Sequence, residues 1–163
     1  VAKVDGKGLH ALHNKLVTPI GDPIFSSFID LVSRLTLITD IDFEQIYGNE
    51  YDTTDYFTSA FACSLFSNSE YKGKRTAEEF LKIAMKLNPN CGYINFKIAK
   101  YNYENLLLKK VSDREIKGKV IEVIRAIKNV KKLNPDWALG NNLLNSICDL
   151  FNKKPSELFK TVP

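Results

Sequence analysis

The chain has 163 residues, 44% hydrophobic and 26% charged, with a formal net charge of +4. That is enough apolar residue to bury a core in one domain or one compact repeat array, which excludes a chain disordered throughout. No apolar run approaches the roughly 18 residues of a membrane span, and no charged-then-apolar leader opens the chain. The start at Val1 rather than Met reads as a fragment or a processed form. Residues 1–50 carry 4 basic and 7 acidic side chains, residues 51–109 carry 8 and 6, and residues 110–163 carry 11 and 6. The C-terminal third is therefore where an acidic partner is expected. Cys63, Cys91 and Cys148 are odd in number and far apart, which predicts free thiols in a reducing, cytoplasmic setting.

Residues 1–21 are weakly patterned, with a short helix readable around Ala11 to Leu16. Asp22-Pro23 is a helix start, and Ile24, Phe28, Leu31, Val32 and Leu35 follow at helical spacing. Residues 35–39, β-branched, leave a short strand open. Asp40 to Asp52 reads as an acidic turn. Asp52-Thr53-Thr54 caps a helix over roughly 54–67, with Phe57, Ala60, Phe61 and Leu65 on one face. Thr76-Ala77-Glu78-Glu79 is a capping box ahead of Phe80, Leu81, Ala84 and Leu87. Further helices are predicted over 91–109, 113–133 and 137–152, and Pro155-Ser156 starts a short last one.

One phrase occurs twice. Leu87-Asn88-Pro89-Asn90 and Leu133-Asn134-Pro135-Asp136 each close an amphipathic helix. Proline cannot continue a helix and pushes the residue before it out of helical geometry. The phrase is thus a stop, a turn and a restart, as a helical-hairpin repeat requires. Trp137, the single tryptophan, follows the second stop and is expected to anchor packing between hairpins.

From about residue 54 to 155 the chain resembles tetratricopeptide (TPR) repeats. Phe61-Ala62, Ala77, Ala84 and Pro89 carry the first unit, and Ile98-Ala99 and Pro135 the second. Val123 and Val130 stand where that pattern has small residues. The prolines are 46 residues apart against about 34 in the standard repeat, so an insertion falls near 105–117. A third unit begins at Leu144-Asn145. The resemblance implies a mainly α protein of TPR-like hairpins in an α-α superhelix over 53–163, capped by an N-terminal segment, 1–52. The Tyr71 to Thr76 loop and the extended second unit also look like the C-terminal regulatory region of ToxR/CadC/HilA-type transcriptional activators. That likeness implies the regulatory part alone, without its DNA-binding domain. In TPR arrays the first helix of each pair lines a groove, which places Tyr56, Tyr93, Phe96, Lys100, Tyr103 and Asn142 there, with Ser146 following.

The alternative interface is basic. On the predicted 113–133 helix, Ile116, Val120, Val123, Ile124, Ile127 and Val130 form a buried face. Lys110, Arg114, Lys117, Arg125, Lys128 and Lys132 form a stripe on another side, which suits an acidic protein, a nucleic acid or a membrane surface. Ile121 interrupts that stripe.

Catalytic and metal patterns are weak. His10 and His13 lack further ligands nearby. Asp40, Asp42 and Glu44 alternate like a calcium loop, but Gln45 and Tyr51 occupy the positions that need Gly and a bidentate Glu. There is no Walker-type loop and no GxSxG element. The expectation is a non-catalytic interaction or regulatory module with no cofactor or metal, binding a protein or peptide in a helical groove. The alternative is a nucleic-acid-binding domain using the 110–132 stripe.

Overall fold

The computed structural model describes Leu31, Arg34, Phe43, Tyr47, residues 55–66 and residues 75–163. Six helices run through the last two stretches: α1 (Asp55–Phe66), α2 (Ala77–Leu87), α3 (Gly92–Leu107), α4 (Ile116–Leu133), α5 (Ala138–Phe151) and α6 (Pro155–Phe159). The protein is mainly α, with no strand among the described residues. The strand left open at 35–39 lies outside them. The chain forms two compact units, and the division between them falls inside α3, after Ile94.

Both Leu-Asn-Pro stops take the same backbone form. Asn88 sits at φ −141°, ψ 68° and Asn134 at φ −136°, ψ 70°. Each still donates its N–H to the carbonyl four residues back, Ala84 at 2.9 Å and Val130 at 2.8 Å. The following proline forbids helical geometry at the asparagine, yet the last turn closes. At the second stop the Asn134 carbonyl accepts the Trp137 N–H at 3.2 Å. Lys131 Nζ and Asn141 Nδ2 donate to the Pro135 carbonyl at 2.9 and 3.1 Å, and Lys131 Nζ also donates to Asn141 Oδ1 at 2.9 Å. One turn is thereby tied to the helix on each side of it.

The other helix ends use different devices. Lys109 (φ 53°) and Asn152 (φ 51°) adopt left-handed geometry. Lys109 and Lys110 donate to the carbonyls of Leu106 and Asn105, and Asn152 and Lys153 to those of Asp149 and Cys148. These are Schellman ends without glycine. The capping box at α2 forms as read: Glu79 N–H donates to Thr76 Oγ1 at 3.2 Å, and Thr76 N–H to Glu79 Oε2 at 3.1 Å. Pro155 opens α6 at its first turn.

In the first unit α1 packs on α2. Phe61, Ala62, Phe80 and Ala84 are buried there. The Phe43 ring meets Phe61 edge-on at 5.3 Å and Phe80 at 5.1 Å, and stacks on Tyr47 at 5.7 Å. The Arg75 guanidinium lies 5.2 Å from the Tyr47 ring centre. The acidic-turn reading of 40–52 is corrected at these two positions. Phe43 and Tyr47 are helical, and Phe43 is a core residue. Apolar burial at four-residue spacing outweighs the local charge count.

In the second unit residues 95–107 of α3 run antiparallel to α4. Asn102 Nδ2 donates to Glu122 Oε2 at 3.2 Å, and Asn129 Nδ2 to Asn95 Oδ1 at 3.2 Å. Ala99 and Ala126 are fully buried and let the helices close on Val123, Ile124, Ile127 and Val130. The helix predicted from 113 starts at Ile116, because Asp113 to Glu115 form a turn with the Glu115 N–H on the Ser112 carbonyl at 2.9 Å. Ile116, expected on the buried face, is 40% exposed. Helix α5 packs on α4, and α6 on both.

Gly140 is the tightest point. A Cβ there would sit 2.8 Å from Val130 Cγ1 and 3.3 Å from Trp137 Cε3. Val130 is buried and stiff about its first side-chain torsion, so it has little room to yield. Gly118, in the first turns of α4, has open space around it. Urea denaturation should therefore show Gly140→Ala destabilised by about 1–3 kcal/mol through overpacking. Gly118→Ala should be stabilised by about 0.5–1 kcal/mol through its helix propensity.

Candidate functional site

The members of the groove predicted on α3 divide between the two units. Tyr56 lies on α1, but its side chain is outside the described residues. Tyr93 is half-buried in the first turn of α3, in the first unit. Phe96, Lys100 and Tyr103 belong to the second unit and recur at i, i+4 and i+7, which is one stripe of the helix.

Phe96 and Tyr103 are half-buried and packed against the core of the unit. The Phe96 ring lies 4.8 Å from Trp137, tilted by 54°. Trp137 thus packs against α3, and the contact restrains Phe96. Lys100, one turn along, is exposed, with no ion pair or hydrogen bond from its side chain to a described residue. Asn142 is exposed on α5, and its carbonyl accepts the Ser146 hydroxyl at 3.1 Å. An exposed cation therefore stands between two half-buried aromatic residues on one face of α3. That face offers apolar area and a charge-assisted donor.

The basic stripe is dispersed. Lys110 and Arg114 precede α4, so helical phasing does not align them with the rest. Lys128 is half-buried and donates to the carbonyls of Phe159 at 3.2 Å and Val162 at 3.3 Å. It caps the end of α6 rather than facing a partner. Lys117, Arg125 and Lys132 remain exposed on α4, within about 80° of one another around its axis. Ile121, which interrupts the stripe, packs partly against the core. It lines a half-open cavity of about 230 Å³ with Val120, Ile124, Phe151, Leu158 and Val162.

All three cysteines are buried free thiols. Burial, reinforced by the neighbouring Asp149 carboxylate, pushes the Cys148 thiol above its ordinary value. It stays protonated at neutral pH and acts as a packing residue. His10, His13, Asp40, Asp42 and Glu44 lie outside the described residues. Among the described residues no three His, Cys, Asp or Glu side chains group as metal ligands, and no helix is long and apolar enough to cross a membrane.

Two polar atoms stand out because sequence patterning gave no sign of them. Asn102 Oδ1 and Asn88 Nδ2 are buried without a hydrogen-bond partner. Comparison with protein-family models, with curated proteins and with solved structures produced no match.

The Lys128 contacts give a local test. Lys128→Met should raise amide exchange at Leu158 and Thr161, whose N–H groups bond within the α6 turn. It should also lower stability by about 1–2 kcal/mol. Unchanged exchange at both amides would mean that the lysine does not hold the C-terminal turn.

Proposed function

We propose that this chain is a non-catalytic interaction or regulatory module that takes a protein or peptide segment along the Phe96–Lys100–Tyr103 stripe of α3. The observation that carries the reading is the Phe96–Trp137 ring contact beside an exposed Lys100. An aromatic side chain already fixed in the free protein loses little entropy on binding, and a neighbouring unpaired cation selects an acidic partner. Asn142 on α5 supplies an exposed amide for hydrogen bonding to a peptide backbone. A TPR-like superhelix would extend the stripe into a groove, and the resemblance of the Tyr71–Thr76 loop makes the regulatory part of a transcriptional activator its natural setting.

A second reading rests on Lys117, Arg125 and Lys132, which stay exposed on α4 with no ion pair or hydrogen bond to a described residue. Three phosphate contacts would give a nucleic-acid affinity falling with salt at a log–log slope of about −3.

The test is a pull-down from source lysate with the full chain and two folded variants, Lys100→Glu and Tyr103→Ala. The module reading expects a protein retained by the native chain and lost, by about ten-fold or more in affinity, in Lys100→Glu. Equal retention by all three chains would defeat the α3 assignment. Nucleic acid in every eluate, removed by salt, would promote the α4 reading.

A further inference from the structure

The end of the α3–α4 hairpin carries a surface that the α3 stripe does not use. Leu107 is 49% exposed, Leu108 62% and Ile116 40%. The register set by the Asn102–Glu122 and Asn95–Asn129 hydrogen bonds brings them together. Stepping from Asn102 to Asn95 on α3 moves equally far from Glu122 to Asn129 on α4. Continuing the same register the other way sets Leu108 across from Ile116 and Leu107 across from Lys117. The apolar residues therefore share one tip, although α3 ends at Leu107 and α4 begins at Ile116.

Around them lie Lys109, Lys110, Arg114 and Lys117, all exposed, none with an ion pair or side-chain hydrogen bond to a described residue. Two carboxylates oppose these four cations. Glu115 accepts the Ser112 hydroxyl at 2.8 Å, and Asp113 is exposed. Lys119 is not part of the set, because it pairs with Glu122 at 3.4 Å. Residues 107–110 and 112–118 are exposed without interruption. A cavity of this unit is lined by other residues, among them Val120, Ile124, Phe151 and Leu158.

We propose that the 107–117 tip docks on an anionic lipid surface, with Leu107, Leu108 and Ile116 entering the headgroup boundary and the four cations meeting lipid phosphates and carboxylates. The charge surplus selects an anionic surface. The side-by-side exposure of apolar and basic side chains fits a lipid boundary, which takes apolar side chains without a matching pocket. An interface of lipid headgroups takes apolar side chains without directional contacts and adds attraction from each nearby cation. One weak signal gives only marginal membrane binding, and two acting together hold a protein at the surface.

Sedimentation of the full chain with phosphatidylcholine vesicles, with and without phosphatidylserine, tests this at low and high salt. Two variants accompany it, Leu107→Ser with Leu108→Ser and Lys109→Gln with Lys110→Gln, each checked for fold by circular dichroism. Binding only to the phosphatidylserine vesicles, weakened by salt, is expected. The lysine variant should bind more weakly by about five-fold per cation removed, and the leucine variant should largely lose binding. No sedimentation of the native chain at low salt would overturn the proposal. So would a leucine variant that binds as well as the native chain, since a merely basic surface would do that. Retention on immobilised polyglutamate that is lost in the leucine variant, with none on vesicles, would overturn it in favour of an acidic protein. Should the double leucine variant misfold, Leu108→Ser alone, at the exposed helix end, carries the same expectation.

Discussion

Proline at 135 forces Asn134 out of helical geometry, and the order of the second unit depends on where that happens. The Asn134 N–H still reaches the Val130 carbonyl, so α4 ends with its last turn closed. The carbonyl of Asn134 then takes the Trp137 N–H, which aims the next helix back along α4. Lys131 and Asn141 reach the same Pro135 carbonyl from either side of the turn. A helix stop that merely frayed would leave those carbonyls unpaired and α5 free to swing. The match between Asn88 and Asn134 shows that the form is a property of the Leu-Asn-Pro phrase and not of one neighbourhood.

Packing then converts the turn into a surface. Gly140 lets α5 come against Val130, and Trp137 is carried onto Phe96. Phe96 of α3 is thereby packed from one side while Lys100 stays exposed. On α4, Lys128 donates to the carbonyls of Phe159 and Val162. Cations that look equivalent along one helix end up with different duties, according to whether unpaired carbonyls lie within reach. The buried Asn102 oxygen, left without a donor, is a cost carried inside the α3–α4 hairpin, and its amide helps to set the hairpin's register.

Much of the helical layout was legible in the sequence because its signals are local. The two stops, the Thr76–Glu79 box and Pro155 each act within four residues, and each forms as read. Periodicity also found the buried Val123, Ile124, Ile127 and Val130. What it missed is tertiary or depends on a register it could not supply. Phe43 was hidden in an acidic stretch, since charge density says nothing about an aromatic residue four positions from another. The start of α4 was placed three residues early, because Asp113 to Glu115 are as compatible with a turn as with a first helical turn. Phasing alone puts Lys128 on a partner surface, because it gives direction and not what lies in that direction. Gly140 carried a usable signal: a glycine inside an amphipathic helix, three residues after the only tryptophan, marks a close approach. For the α3 stripe, spacing aligned Phe96, Lys100 and Tyr103, but only the Trp137 contact says which of them is held rigid.

The claim on which the rest depends is that the second stop fixes α3 through Trp137. A double-mutant cycle with Phe96→Ala and Trp137→Ala, followed by urea denaturation and circular dichroism, tests it directly. A coupling energy of about 0.5–1.5 kcal/mol beyond the sum of the single changes is predicted for a packed aromatic pair. Strict additivity would contradict the account, because the turn would then place α5 without holding the α3 surface.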